Sequence, residues 1–171
     1  AAATPLQAAR SMAHPASPVP FVLLDDARPE GGRPARLYRA PREVIAAADL
    51  LKTDWGVDAD LWGCPSFTEL ARDGNAVARR NMLHPGEKSI VSHVEQCLAA
   101  TEGPVIAATD YIRAYAEQIR AFVPRRYTVL GTDGFGRSDT REKLRHFFEV
   151  DRHWVVLAAL KALADEGKMP A

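Results

Sequence analysis

Sulfur is scarce in this chain. Its 171 residues include two cysteines, Cys64 and Cys97, with no CxxC pair, which leaves out thiolate metal knuckles and vicinal redox dithiols. Both lie in apolar surroundings and read as reduced, mostly buried thiols of an intracellular protein. Net charge is lacking too: Lys plus Arg number 22 and Asp plus Glu number 22, so nothing marks nucleic acid or an anionic membrane as a general partner. No apolar run approaches the roughly 20 residues that span a bilayer. The first twenty residues, AAATPLQAARSMAHPASPVP, lack the continuous apolar stretch of a secretory signal. The chain contains no GxxxxGK[ST], HExxH or GxSxG, so the motifs that announce a nucleotide-binding loop, a zinc peptidase or a serine hydrolase are missing. The histidines, His14, His84, His93, His146 and His153, are scattered, and a break at Val150-Asp151 separates the last two. No metal site is expected from them.

What is present suits one domain with a sizeable core: 47% of residues are apolar and 26% charged. Residues 1–34 are set apart by Ala, Pro and Arg, with EGGRP at 30–34 reading as linker chemistry. Within them only Phe21-Val-Leu-Leu24 has the composition of a strand, so this segment is expected to be loosely held or to dock through that run. Residues 35–171 form the domain proper. Val44, Ala47, Ala48 and Leu51 recur at three and four, predicting an amphipathic helix that ends near Trp55-Gly56. Val57 to Trp62 alternates as a strand. Phe67 to Glu87 reads as a long loop with one helical turn, Thr68 to Arg72, closed at Asp73-Gly74; loops of that length are usually functional.

Ser89 to Leu98 reads as a helix with Ile90, Val94 and Cys97 on one face. Val105 to Ala108 is a strand buried on both faces. Thr109 and Asp110 would then cap a helix whose Tyr111, Tyr115, Ile119 and Phe122 form a core stripe up to Pro124. After Tyr127-Thr-Val-Leu130 comes GTDGFGRSD, from Gly131 to Asp139, where three glycines permit a sharp turn between strand and helix. Its GFG is followed by Arg137-Ser138-Asp139, which fails the dinucleotide fingerprint. Arg137 and Ser138 before a helix offer an anion site; alternatively Arg137 pairs with Asp133 or Asp139 and merely holds the turn. Two helices close the chain, about 140–147 and from Asp151 as N-cap to a stop at Gly167. The alternation argues for an α/β fold with a mostly parallel sheet and helices on both faces.

SFTELARDG (66–74), RRNMLHP (79–85), ATDYIRAYAEQIRAFVP (108–124) and YTVLGTDGFGRSDTREKLRHFFEVD (127–151) resemble the C-terminal domain of the homodimeric pyruvate dehydrogenase component that uses thiamine diphosphate. More distantly they resemble the C-terminal domain of transketolases, with Asp133 to Ser138 on its Asp-x-Phe-Gly-x-Ser pattern. The resemblance runs from about Arg42 to Lys168. It implies a three-layer, mostly parallel sheet of five strands with one antiparallel edge. It also implies an enzyme that decarboxylates pyruvate on thiamine diphosphate and magnesium and acetylates the lipoyl group of an acyltransferase in the cytoplasm.

The family's Gly-Asp-Gly…Asn diphosphate motif is absent, and the glutamate that activates the cofactor belongs to a middle domain not contained in this chain. No catalytic, cofactor-binding or metal residue is therefore assigned, and the segment is expected to be inactive alone. Its implied work is dimer assembly with the missing N-terminal and middle domains and shaping of the active-site channel, with Asp133, Phe135, Arg137, Ser138 and His84 as channel or interface contacts. In place of the family's Leu-Gly-Ser-Gly strand and loop stands Ala35-Arg-Leu-Tyr-Arg-Ala-Pro41. The first strand is thus expected to be missing or altered, as in a truncated or altered gene product. A stand-alone interaction or small-anion module, or a non-functional remnant, are the alternative readings.

Overall fold

The computed structural model describes the backbone of residues 19–23 and the residues 42–64 and 66–170. Four strands, β1 (Val19–Leu23), β2 (Ala59–Gly63), β3 (Val105–Ile112) and β4 (Tyr127–Thr132), form one sheet in the order β2-β1-β3-β4. Every pairing between them is parallel. The expected antiparallel fifth strand is not among the described residues. The chain does have a strand before its first helix, and it is central: β1 pairs with β2 from Val19 to Leu23 and with β3 from Phe21 to Leu23. The apolar run of the N-terminal segment thus docks into the sheet, and the place of the first strand is filled. Pro20, which has no N–H to donate, stands one residue before the pairing with β3 begins.

Helices cover both faces. On one face lie α1 (Arg42–Trp55) and the last helix, α6 (Arg152–Asp165); on the other lie α2 (Phe67–Leu83), α3 (His93–Leu98) and α4 (Arg113–Glu117), with α5 (Arg141–Phe147) between β4 and α6 in the chain. Strand β3 feeds both cores because its side chains alternate. Ile106 and Ala108 pack with Val44, Leu51, Val155 and Leu163, and Val105 and Ala107 pack with Phe67, Leu98, Ile119 and Val129. The sandwich is the three-layer α/β architecture expected from the alternation of elements. Asp151 caps α6 through the amides of His153 and Trp154, and Gly167 stands at φ +69° beyond its end, both as read from the sequence.

Three local expectations fail. Asp73-Gly74 does not close a turn, and α2 runs through it for 17 residues. The glycine is there because a Cβ on it would lie 2.4 Å from the Phe122 ring: it makes room for an aromatic and does not break the helix. Asp73 turns outward to accept the His93 amide at 2.7 Å. The predicted helix from Ser89 begins only at His93, where Ser92 and Glu95 form a capping box that fixes the start. The tyrosine stripe is not core, since β3 extends through Thr109 and Asp110 to Ile112 and leaves Tyr111 on a strand. Tyr111 and Tyr115 pair edge to face on the surface, with ring centroids 5.0 Å apart, while Ala116 and Ile119 fill the interior.

Alanine normally outperforms glycine within a helix by about 1 kcal/mol. Gly74→Ala is nevertheless expected to destabilise the domain by about 1–3 kcal/mol through overpacking. Urea unfolding should show the loss, and a Phe122→Ala background should reverse its sign. Stabilisation by Gly74→Ala in the native background would contradict the contact.

Candidate functional site

The parallel strands deliver their ends to one edge, where an open α/β sheet places its ligands. There the Gly131–Asp139 turn leaves β4. Gly131 is buried, and a Cβ on it would come within 2.7 Å of the Arg113 Cα. The close approach seats the start of α4 against the strand end. Arg113 donates to the Val129 carbonyl at 3.2 Å and faces the Asp133 carboxylate at 3.8 Å. Together with Leu130, Phe147, Phe148 and Glu149 these residues line an open cleft of about 270 Å³. Glu149 holds φ +60° without being glycine, a conformation that costs on the order of 1 kcal/mol.

Beside the cleft, ion pairs tie four elements together. Arg145 of α5 binds Asp110 of β3 and lies 3.6 Å from Glu43 of α1. Arg152 donates to both Glu43 oxygens, at 2.9 and 3.2 Å. The Glu43 side chain is only 17% exposed, and these bonds from Arg152 hold its carboxyl below the ordinary value of 4.5 against the opposing effect of burial. The cluster stitches α1, β3, α5 and α6 to one another, and each charge within it is matched.

Of the residues singled out in the turn, Arg137 departs from both sequence readings. It pairs with neither aspartate and instead lays its guanidinium 4.0 Å over the Phe147 ring. Asp133 goes to Arg113, and Asp139 accepts the Thr140 amide at 2.7 Å. Ser138 does not cap the helix: Thr140 does, through the Lys143 amide. With α5 only 7 residues long and starting at Arg141, the anion site expected at Arg137 and Ser138 has no helix end to use. Phe135, between Gly134 at φ +79° and Gly136, is 97% exposed.

His84 is not at this edge. It is the C-cap residue of α2, its amide bonded to the Arg80 carbonyl and its Nδ1 3.3 Å from Glu87. Since α2 runs back from the carboxyl end of β2, His84 and Asp133 stand at opposite ends of the sheet. The two cysteines lie in different surroundings. Burial pushes the Cys64 thiol up to about 12, and the partly buried Cys97 lies 3.4 Å from His93 Nε2 on the surface of α3. Among the described residues no group of three or more His, Cys, Asp or Glu side chains is placed to hold a metal ion.

A family model described as the transketolase-like TK C-terminal domain matches residues 41–151. The chain belongs to that family. The curated relatives of this transketolase-like domain include the pyruvate dehydrogenase E1 components of Cupriavidus necator, 78% identical over 126 residues, Pseudomonas aeruginosa, 67% over 127, and Escherichia coli K12, 52% over 129. In each case the alignment takes in 74–75% of this chain and 14% of the relative. Among solved structures, a split gene transketolase described as an inactive beta4 tetramer superposes with a TM-score of 0.53 at 17% identity, covering 86% of this chain and 40% of that one. At that identity the likeness speaks for the fold alone. The transketolase-like match begins at residue 41, so β1 lies outside it. No helix among the described residues is long and apolar enough to cross a membrane.

Sequence reasoning missed the Glu43–Arg152–Arg145–Asp110 cluster. Glu43 precedes Arg152 by more than a hundred positions, and only an i,i+4 spacing would have been visible. With its pKa lower in the folded state, Glu43 contributes stability that is present above its unfolded pKa and is lost as pH falls through the folded one. Glu43→Gln should therefore cost about 2 kcal/mol at pH 7, and the gap between variant and parent should close in acid. Urea midpoints across pH 3–7 measure it, and a gap that does not depend on pH would contradict the ion-pair reading.

Proposed function

We propose that this chain works as the C-terminal domain of a pyruvate dehydrogenase decarboxylating component, the enzyme that oxidatively decarboxylates pyruvate and acetylates a lipoyl group. The observation that carries this reading is the 78% identity to a relative named pyruvate dehydrogenase E1 component, spread over 74% of this chain and 14% of the relative. Residues 35–171 form the domain in this reading, with β1 (Val19–Leu23) completing its sheet. The partners are the N-terminal and middle domains of the same enzyme, a second copy in a homodimer, and a lipoyl-bearing acyltransferase, all in the cytoplasm.

Thiamine diphosphate and magnesium supply the carbanion chemistry in the assembled enzyme. The side chains here do not fit that group. Asp133 is engaged with Arg113, Arg145 is bound by two carboxylates, and the Gly-Asp-Gly…Asn sequence that holds the diphosphate is absent. The domain's contribution is to pack and to shape. Asp133, Phe135, Arg137 and Ser138 form the turn that meets other domains at the channel edge, with Phe135 as an exposed apolar knob flanked by glycines. His84 serves an interface at the far end. In this division of labour the segment supplies no catalytic residue.

The chain alone should neither decarboxylate pyruvate nor bind thiamine diphosphate. Mixed with the separately produced N-terminal and middle domains, it should associate and restore carbon dioxide release from pyruvate. Arg137→Ala removes a cation–π contact worth about 1 kcal/mol. It should weaken association about fivefold and leave the cofactor affinity of the assembled enzyme unchanged. Intact assembly together with lost cofactor binding would overturn the assignment.

A further inference from the structure

The second half of α2 has no core to belong to. Its buried residues are Phe67, Ala71 and Gly74, and from residue 75 to the helix end at Leu83 no side chain is buried. Nine residues of helix at 1.5 Å each carry the chain about 13 Å past the last packed turn. The segment 84–91, also exposed, then folds back along them. Helical turns of this length are marginal in water without packing, yet these are braced. The Asn81 amide donates to the Ile90 carbonyl at 2.8 Å and accepts its N–H at 3.0 Å. Arg80 binds Glu87 at 2.6 Å.

The bracing holds up a sticky surface. Met82 is 70% exposed, and Leu83, Ile90 and Val91 are 43–52% exposed. The Asn81–Ile90 bonds bring the two pairs, one on the helix and one on the return, to the same tip. Around them stand three cations, Arg79, Arg80 and Lys88, against the single carboxylate Glu87. An apolar centre with a charged rim is the anatomy of a docking surface.

We propose that the arm of residues 75–91 docks the remainder of the enzyme polypeptide, through an apolar patch on that remainder rimmed by carboxylates. This inference rests on the function proposed above. The relatives exceed this chain severalfold in length, the aligned part being 14% of them, so in the proposed enzyme most of the surface able to cover the arm belongs to that remainder. The net positive rim selects an acidic surface. The arm lies at the opposite end of the sheet from the Gly131–Asp139 turn, so it grips the enzyme independently of the channel edge.

The test is binding of the chain to the N-terminal and middle domains of the Cupriavidus necator relative, followed by calorimetry and sedimentation. Met82→Glu with Val91→Glu should raise Kd at least tenfold, and Lys88→Glu should raise it severalfold while flattening its salt dependence. Leu157→Glu, an exposed position on α6, should change it less than twofold. Parent-like binding by the double variant and by Lys88→Glu overturns the arm and leaves the proposed function standing. Absence of binding by the parent chain overturns both. A dimer of the chain alone that the double variant abolishes would assign the arm to a second copy and likewise overturn the proposal.

Discussion

The backbone ladder of Val19–Leu23 is the constraint on which the rest of the structure depends. In the order β2-β1-β3-β4, this strand is the sole hydrogen-bonded link among the described residues between β2 and the other half of the sheet. Remove it and β2, with α1 before it and α2 after it, has no ladder to join. Buried parallel strands need pairing on both sides and helices on both faces, and β1 supplies the pairing in the middle. It does so from a segment that precedes the family match. A five-residue apolar run can take this place because a central strand is specified mainly by pattern and backbone bonding, which many sequences satisfy. Pro20 sacrifices one donor, at a position where only β2 is paired opposite.

With the sheet complete, its carboxyl edge becomes intelligible. Matched charges occupy the edge where an α/β domain would usually receive a ligand: Glu43, Asp110, Arg145 and Arg152 satisfy one another. The neighbouring cleft is walled by Arg113 and Asp133, themselves facing each other. Large apolar side chains stay exposed at this edge, among them Phe135 at the tip of its turn and one half of Phe147. The opposite end also exposes apolar side chains, in the arm of α2, there with a net positive rim. Exposed hydrophobic tips of this kind mark surfaces that contact other protein, which accords with the proposed supporting place in a larger enzyme.

Most of the fold was legible because periodicity reports burial directly. Val44, Ala47 and Leu51 on α1, Val155 and Leu163 on α6, and Val105 to Ala108 on β3 are all buried as their spacing implies. Errors arose where a residue's meaning depends on a distant contact. Asp73-Gly74 has the composition of a stop, yet the glycine answers to Phe122 and the aspartate to His93. Tyr111 and Tyr115 share a helical spacing but not a helix. Within the site, the turn itself and its place after β4 could be read, whereas Arg137 on Phe147 and Arg113 under Gly131 required the fold. The separation of His84 from Asp133 was equally hidden, since it follows from the direction in which α2 runs.

Whether the sheet is one body held by β1 is the central physical claim, because it separates an assembled domain from a remnant with an open edge. Amide hydrogen exchange read by NMR measures it directly. The account predicts that the N–H groups of Phe21, Val22 and Leu23 exchange as slowly as those of Ile106 and Ala107, through the same global opening. Exchange of β1 at the rate of an unstructured peptide, with β2 released alongside it, would contradict the account.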